Sequence, residues 1–271
     1  MCVDAKLRGR KRYPYGYVVE THTQDVTPKE RWAYYRLGDI VTTRAGMQFH
    51  QKTCEHICEC WPESIACAYY EEALRSADST SVAKRGLNDG KLAILKGLVD
   101  RYGGDKPLPN TTVVHLRLGD TMSRDDCWEE PPCTTLGRWI HVYPFNWYDE
   151  VVREIRKSAG AGSRIVIVGS TGHRSKHSRT SHVNRSQAYI ERMLEYFAER
   201  GFQASFRGDH APDDDFVYLA SAHRLVAGGG GFYQFAQQIA LKRGGIVLEP
   251  RPAGGFDPAF RPAFDPAYTT I

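Results

Sequence analysis

The apolar residues of this chain follow two different periods between residues 109 and 250. Short runs rich in apolar residues are typical of strands buried in a parallel sheet, and they occupy 112–114, 164–169, 202–206, 224–227 and 245–249. Between them, apolar residues recur every three or four positions, as on one face of a helix, over 145–157, 184–200, 214–220 and 232–242. This repeated order predicts an α/β domain with a parallel, doubly wound sheet and right-handed crossovers.

The pattern changes on both sides of this domain. Residues 1–30 are polar with aromatic interruptions, which predicts an extended arm. Residues 31–108 are poor in strand patterns and predict a mainly helical region, with helices near 45–60, 63–76 and 84–102. The tail over 251–271 repeats the sequence Phe-Asp-Pro-Ala-Phe as Phe-Asp-Pro-Ala-Tyr. Because proline excludes a regular helix, we expect this Pro/Phe-rich tail to be extended.

The first predicted strand runs directly into a motif that combines an imidazole, a guanidinium and a carboxylate. Side chains alternate along a strand, so His115 and Arg117 should lie on the same face. Gly119 and Asp120 follow and predict a sharp turn. Arginine binds phosphate oxygens through two parallel hydrogen bonds and stays charged, so the motif predicts a site for an anion such as a diphosphate. The alternative is an ordinary turn in which Arg117 and Asp120 pair.

A run of four glycines, Gly228 to Gly231, separates a predicted strand from a predicted helix. Glycines that open a helix expose backbone N–H groups at the positive end of the helix dipole, which favours phosphate. No Lys-Ser/Thr pair follows the run, so it is not a Walker loop, and it matches a dinucleotide-binding fingerprint poorly. A flexible linker is the alternative to a phosphate-binding turn.

Two groups of residues give the chain a resemblance to a known enzyme family. They are His115-x-Arg117-x-Gly119-Asp120 and, about a hundred positions later, Asp215-Phe216-x-x-Leu219-x-x-Ala222, which leads through Leu225-Val226 and the glycine run to Phe232. In these features the chain resembles the fucosyltransferase superfamily, which includes the core α-fucosyltransferases, the nodulation fucosyltransferases and the protein O-fucosyltransferases. The resemblance implies a GT-B-like fold, in which residues 109–250 are the Rossmann-like domain that binds a nucleotide sugar and residues 31–108 a reduced acceptor-side region.

The resemblance also implies roles for individual residues. It implies that Arg117 contacts the diphosphate of a GDP-sugar and His115 its nucleoside, within a motif completed by Gly119 and Asp120. It implies further binding residues on the other side of the donor, where the carboxylates bind the base and the glycine-turn backbone binds phosphate: Asp214, Asp215, Gly229, Gly230, Gly231 and Phe232. Many relatives carry Ser or Thr in this turn, where the present chain has glycines.

Sugar transfer with inversion needs a base for the acceptor hydroxyl and a group that stabilises the departing diphosphate. Arg117 is the candidate for the second role. Asp126 and Glu129 are candidates for the base, because they lie in an acidic loop after the motif and core fucosyltransferases place a carboxylate in the corresponding loop. A solvated acidic loop without a catalytic role is the alternative.

The expected function is therefore that of an inverting fucosyltransferase, which moves fucose from GDP-fucose to a hydroxyl of a glycan or glycoprotein. We expect no metal and no cofactor besides the donor, because the resembled enzymes are metal-independent. The acidic run 213–215 predicts a helix N-terminus rather than a metal motif. The alternative is a non-catalytic protein that binds a nucleotide sugar or a partner.

The chain has seven cysteines, which raise the questions of a zinc site and of a disulfide. His50, Cys54 and Cys58 recur on one helical face, but structural zinc usually needs four ligands on paired short-spaced motifs. We therefore expect a half-buried helix whose small cysteines face the core and not a zinc site. Cys127 and Cys133 flank two prolines and are positioned to close a small disulfide loop in an oxidising compartment.

The formal charge of +4 is spread along the chain, and its basic clusters contain none of the aromatic platforms of single-strand nucleic-acid binders. We expect no nucleic-acid partner. No run of eighteen apolar residues is present, so we expect no membrane span. The cellular location stays open between the secretory lumen, if an N-terminal anchor precedes this sequence, and the cytosol.

Overall fold

The structure is a computed structural model, and it describes residues 58, 65–75, 89–118, 122, 142–159, 162–169, 180–208, 210, 212–228 and 231–250. Contacts divide the chain into two compact units. The first comprises 1–104, 211–217 and 265–271, and the second comprises 105–210 and 218–264. The predicted arm, the tail and the helix over 45–60, apart from Cys58, lie outside the described residues.

The second unit is built on a five-stranded parallel sheet. Its strands are β1 (Thr111–His115), β2 (Arg164–Val168), β3 (Gln203–Arg207), β4 (Arg224–Val226) and β5 (Ile246–Leu248). They lie in the order β3-β2-β1-β4-β5, and every neighbouring pair is parallel. The prediction of an α/β domain with a Rossmann-like parallel sheet is therefore confirmed.

Four helices connect or follow these strands within the described residues. They are α3 (Tyr148–Ala159), α4 (Thr180–Glu199), α5 (Pro212–Ala220) and α6 (Gly231–Lys242). A single 3₁₀ turn over Phe145–Trp147 precedes α3. Each corresponds to a helix predicted from the apolar period, and the ends differ by a few residues. The chain leaves α4 through Gly201, whose φ of 83° is the left-handed conformation that glycine adopts without strain.

One face of the sheet packs against an aromatic layer formed by α3 and α4. Val114, Ile165, Ile167 and Val226 belong to the same buried cluster as the aromatic residues of these helices. Fully buried Phe197 lies at its centre, with its ring edge-to-face against Tyr148 at 6.3 Å, Tyr196 at 5.3 Å and Phe202 at 6.2 Å between centroids. The alternate residues of the same strands face away from this layer.

The described part of the first unit contains two helices, α1 (Ile65–Arg75) and α2 (Asp89–Arg101), which agree with two of the predicted helices. The first turn of α5 begins at Pro212 and carries three aspartates, so the predicted helix start at this position is confirmed. The Oδ2 atom of buried Asp213 accepts a hydrogen bond of 3.3 Å from the backbone N–H of Ile65. Asp213 thus caps the N-terminus of α1, which leaves N–H groups without helical partners.

The structure corrects the expectation for Cys58. This residue does not face the core as a free thiol, because its sulfur forms a disulfide with Cys67 of α1. The Cα atoms are 5.0 Å apart, a distance that suits such a bond. The sequence did not indicate this pair, because the apolar period shows where cysteines are buried and not which of them meet. The alternative pair, Cys127 and Cys133, lies outside the described residues.

Candidate functional site

Strand β1 lies in the middle of the sheet, where the order of the strands reverses direction. The chain continues from β1 to β2 and β3 on one side, and it later adds β4 and β5 on the other side. Such a reversal leaves a crevice between the carboxyl ends of the two central strands, which is where open α/β sheets bind ligands. His115 is the last residue of β1, and the glycine run begins two residues after β4. The topology therefore brings the two sequence motifs to the same crevice.

Gly228 and His115 pack against each other at this crevice. A Cβ atom added to Gly228 would lie 2.6 Å from the Nδ1 atom and 2.9 Å from the carbonyl carbon of His115, and closer still to its carbonyl oxygen. Real Cβ atoms do not approach backbone atoms so closely. Glycine is required at this position because the loop after β4 runs directly over the end of β1.

His115 itself is buried and neutral. The residue is 5% exposed, and its ring stacks on the ring of Tyr233, with 5.6 Å between centroids and an angle of 23°. Loss of hydration, together with the nearby charge of Arg117, lowers the pKa of His115 to about 3. A neutral imidazole has one N–H donor and one ring-nitrogen acceptor, so it suits a polar, uncharged group such as a nucleoside better than a phosphate.

Arg117 is the cation that follows His115 at the end of β1. Its side chain is half-buried, and its Nη1 atom donates a hydrogen bond of 2.8 Å to the carbonyl oxygen of Leu118. This short bond to the adjacent backbone fixes the direction of the guanidinium. Since the charge of Arg117 contributes to the lowered pKa of His115, the two side chains lie in one electrostatic environment.

Helix α6 begins at Gly231, one residue before the predicted start at Phe232. Its first turn carries Tyr233, so the residue that stacks on His115 is at the helix N-terminus. The first N–H groups of any helix have no helical partners and form the positive end of the helix dipole. The prediction that the glycine run opens a helix is therefore confirmed from Gly231 onward.

Several predicted site residues lie outside the part of the chain that the structure describes: Gly119, Asp120, Asp126, Glu129, Gly229, Gly230 and the side chain of Phe232. Asp214 and Asp215 are described within the first unit. There the Tyr102 hydroxyl donates a hydrogen bond of 3.5 Å to the Oδ1 atom of Asp214, and Asp215 is buried.

Sequence reasoning missed two residues of this site. The sequence does not indicate Tyr233 as a site residue. It shows an aromatic residue on an amphipathic helix, but it does not show that this ring stacks on His115. Gly228 belongs to the glycine run, but only the register of β1 and β4 shows that it is the glycine in contact with His115.

Burial, with the nearby charge of Glu249 among the causes, raises the pKa of Tyr233, so this hydroxyl stays protonated.

No family model matches this chain, and neither a curated protein nor a solved structure matches it.

Among the helices that the structure describes, none has both the length and the apolar character needed to cross a membrane. In the first unit, the described residues bring together three side chains of the metal-binding type, Cys58, Cys67 and Glu71. The disulfide occupies both sulfurs, so they offer no thiolates to a metal.

Proposed function

We propose that this protein is an inverting glycosyltransferase that uses a GDP-sugar, and that its reaction moves fucose from GDP-fucose to a hydroxyl of a glycan or glycoprotein. The observation that carries the proposal is the contact of Gly228 with His115 at the reversal of strand order, with Arg117 beside it. This crevice combines a buried neutral imidazole, a guanidinium and a helix N-terminus. Those three features suit a nucleoside attached to a diphosphate. The proposal includes a GT-B-like arrangement.

In the proposed reaction the acceptor oxygen attacks the anomeric carbon while the bond from that carbon to the diphosphate oxygen breaks. GDP leaves, and the acceptor proton passes to a carboxylate, for which Asp126 and Glu129 are the candidates. Arg117 and the N–H groups at the start of α6 stabilise the charge on the departing diphosphate. His115 binds the nucleoside.

A ligand screen tests this proposal directly. Thermal unfolding is measured with GDP, UDP, GDP-fucose and GDP-mannose in the presence of EDTA, because the proposed reaction needs no metal. A ligand that binds the native state raises the unfolding midpoint, and at a given concentration a tighter ligand raises it more, so we expect GDP and GDP-fucose to raise it and UDP to have little effect. The absence of any shift with the guanine nucleotides would contradict the proposal.

Hydrolysis of GDP-fucose then separates an enzyme from a binding protein. A transferase leaks some donor to water, so we expect slow release of GDP that Arg117→Lys reduces, since a point charge does not reproduce the guanidinium fork. Binding of GDP-fucose without any hydrolysis would favour the non-catalytic alternative.

A further inference from the structure

The segment from β4 through α6 to β5 is a strand–helix–strand unit that ends in an acidic residue. Gly228 lies just after β4, and Glu249 follows directly on β5. In dinucleotide-binding units, a carboxylate at the end of the second strand, about 20 residues after the glycine turn, accepts hydrogen bonds from the ribose hydroxyls. The sequence of the glycine run matches that fingerprint poorly, so the similarity is one of architecture.

The register of the strands places Glu249 in line with His115. Val114 of β1 pairs with Val226 of β4, and Val226 pairs with Leu248 of β5. The backbone N–H of Ala227 donates a hydrogen bond of 2.8 Å to the carbonyl oxygen of Leu248, so the pairing continues beyond the last residue of β4. The next row across the three strands is therefore formed by His115, Ala227 and Glu249.

This row faces away from the aromatic layer. Val114 and Val226 belong to the cluster that includes α3 and α4, and Leu248 packs against it. The following residue on each strand points to the opposite face, where the ring of His115 stacks on Tyr233. Glu249 is partly exposed, as a group that meets a ligand must be.

The charge of Glu249 contributes to the raised pKa of Tyr233 and also to that of Tyr143, although burial is the larger cause for both. Tyr143 belongs to the buried cluster of the aromatic layer, so Glu249 lies at the carboxyl edge of the sheet, where its charge acts on both faces. Glu249 is therefore close to the ring that supports His115. The crevice thus has a cation on the β1 side, at Arg117, and a carboxylate on the β5 side.

We propose that Glu249 accepts hydrogen bonds from the 2′- and 3′-hydroxyls of the ribose and thereby selects ribonucleotides over deoxyribonucleotides. The inference rests on the proposed function, because it assigns one part of the nucleotide to one part of the same crevice. It extends that function to a residue which the motifs did not indicate. A bond from hydroxyl to ionised carboxylate is among the stronger hydrogen bonds in proteins.

The test compares GDP with 2′-deoxy-GDP by calorimetry. The parent should bind GDP about tenfold more tightly or better, since one charged hydrogen bond is lost in the deoxy ligand. Glu249→Gln and Glu249→Ala should bring the two affinities close together, because the bond to the 2′-hydroxyl is lost, and should lower both, because the bond to the 3′-hydroxyl is lost as well. Glu195→Gln, on exposed surface of α4, is the matched control and should keep the parent's preference.

Each outcome decides one of the two proposals. If the Glu249 variants keep the full preference for GDP, or if the parent binds both nucleotides equally, the role of Glu249 is wrong and the proposed function stands. If the parent binds neither nucleotide, the proposed function fails and the role of Glu249 fails with it. Glu249→Gln preserves the size of the side chain, and measurable binding of 2′-deoxy-GDP by this variant shows that the crevice is still folded.

Discussion

The two faces of the central strand β1 differ in what they contact. Val114 joins an aromatic layer in which fully buried Phe197 packs edge to face on neighbouring rings and fully buried Ile155 fills the space beside them. His115, on the other face, is also buried but contacts Tyr233 and the backbone of Gly228. The first face provides stability through apolar burial, and the second uses that rigid support to hold polar groups in fixed positions. Substitutions on the two faces should therefore have different effects.

The largest effect is expected from Phe197→Ala in the aromatic layer. Removal of a fully buried phenylalanine ring leaves a cavity and lowers the free energy of unfolding by about 3–5 kcal/mol. Denaturant titration measures this loss. Calorimetry with GDP on the fraction that remains folded should give the parent's affinity, and a large fall in affinity would show that the two faces are not independent.

Gly228→Ala is the corresponding change at the crevice. The added methyl group would meet the backbone and ring of His115, so the loop after β4 or the end of β1 must shift. Overpacking of this kind costs up to about 3 kcal/mol of stability, and the shift should reduce GDP affinity by about tenfold or more. Unfolding and calorimetry on the same variant measure both. A variant with the parent's affinity would show that this contact is only structural.

The buried imidazole predicts a dependence of stability on pH. Folding lowers the pKa of His115 to about 3, whereas the unfolded chain has its ordinary value near 6.5. Between these two pKa values the unfolded state binds more protons than the folded state. His115 therefore lowers the free energy of unfolding as the pH decreases from about 6.5 towards 3. Between pH 7 and 5 the parent should lose about 2 kcal/mol more than His115→Gln does.

Denaturant titrations of both proteins at the two pH values measure this difference, and groups other than His115 cancel in it. Equal losses in parent and variant would mean that the imidazole reaches water and takes up a proton in the folded state.

Gly201→Ala is expected to have the smallest effect. Gly201 has a φ of 83° and no atom near the position of a Cβ, so the cost comes from backbone conformation alone. The free energy of unfolding should fall by about 1 kcal/mol, and GDP affinity should not change, because this turn follows α4 on the side of the aromatic layer. A measurable loss of affinity would contradict that separation.

Much of the second unit could be predicted from the sequence, because its strands and helices have clear apolar periods. The acidic run 213–215 predicts a helix N-terminus, and α5 begins there. The order of strands follows less directly, since the pattern gives parallel pairing but not which strand lies in the centre. Contacts made by side chains from distant parts of the sequence, such as the Cys58–Cys67 disulfide, could not be predicted at all.

The candidate site was predictable to a smaller extent. His115 and Arg117 were indicated by residue type and alternation, because those rules act over three neighbouring positions. Tyr233, Gly228 and Glu249 depend on the alignment of three strands and on the packing of α6, which no local pattern contains. The sequence therefore identifies the site residues at the end of β1. The register of the sheet identifies those that follow β4 and β5.

The central claim is that the crevice at the end of β1 binds the diphosphate of a guanine nucleotide, and calorimetry with GDP on Arg117→Ala tests it most directly. Arg192→Ala is the matched control, because Arg192 is exposed on α4 and pairs with Glu195 at 3.0 Å. We expect Arg117→Ala to bind GDP about ten to a hundred times more weakly than the parent, since charged hydrogen bonds to phosphate are lost, and Arg192→Ala to bind it normally. Equal GDP affinity in the parent and in folded Arg117→Ala would contradict the claim.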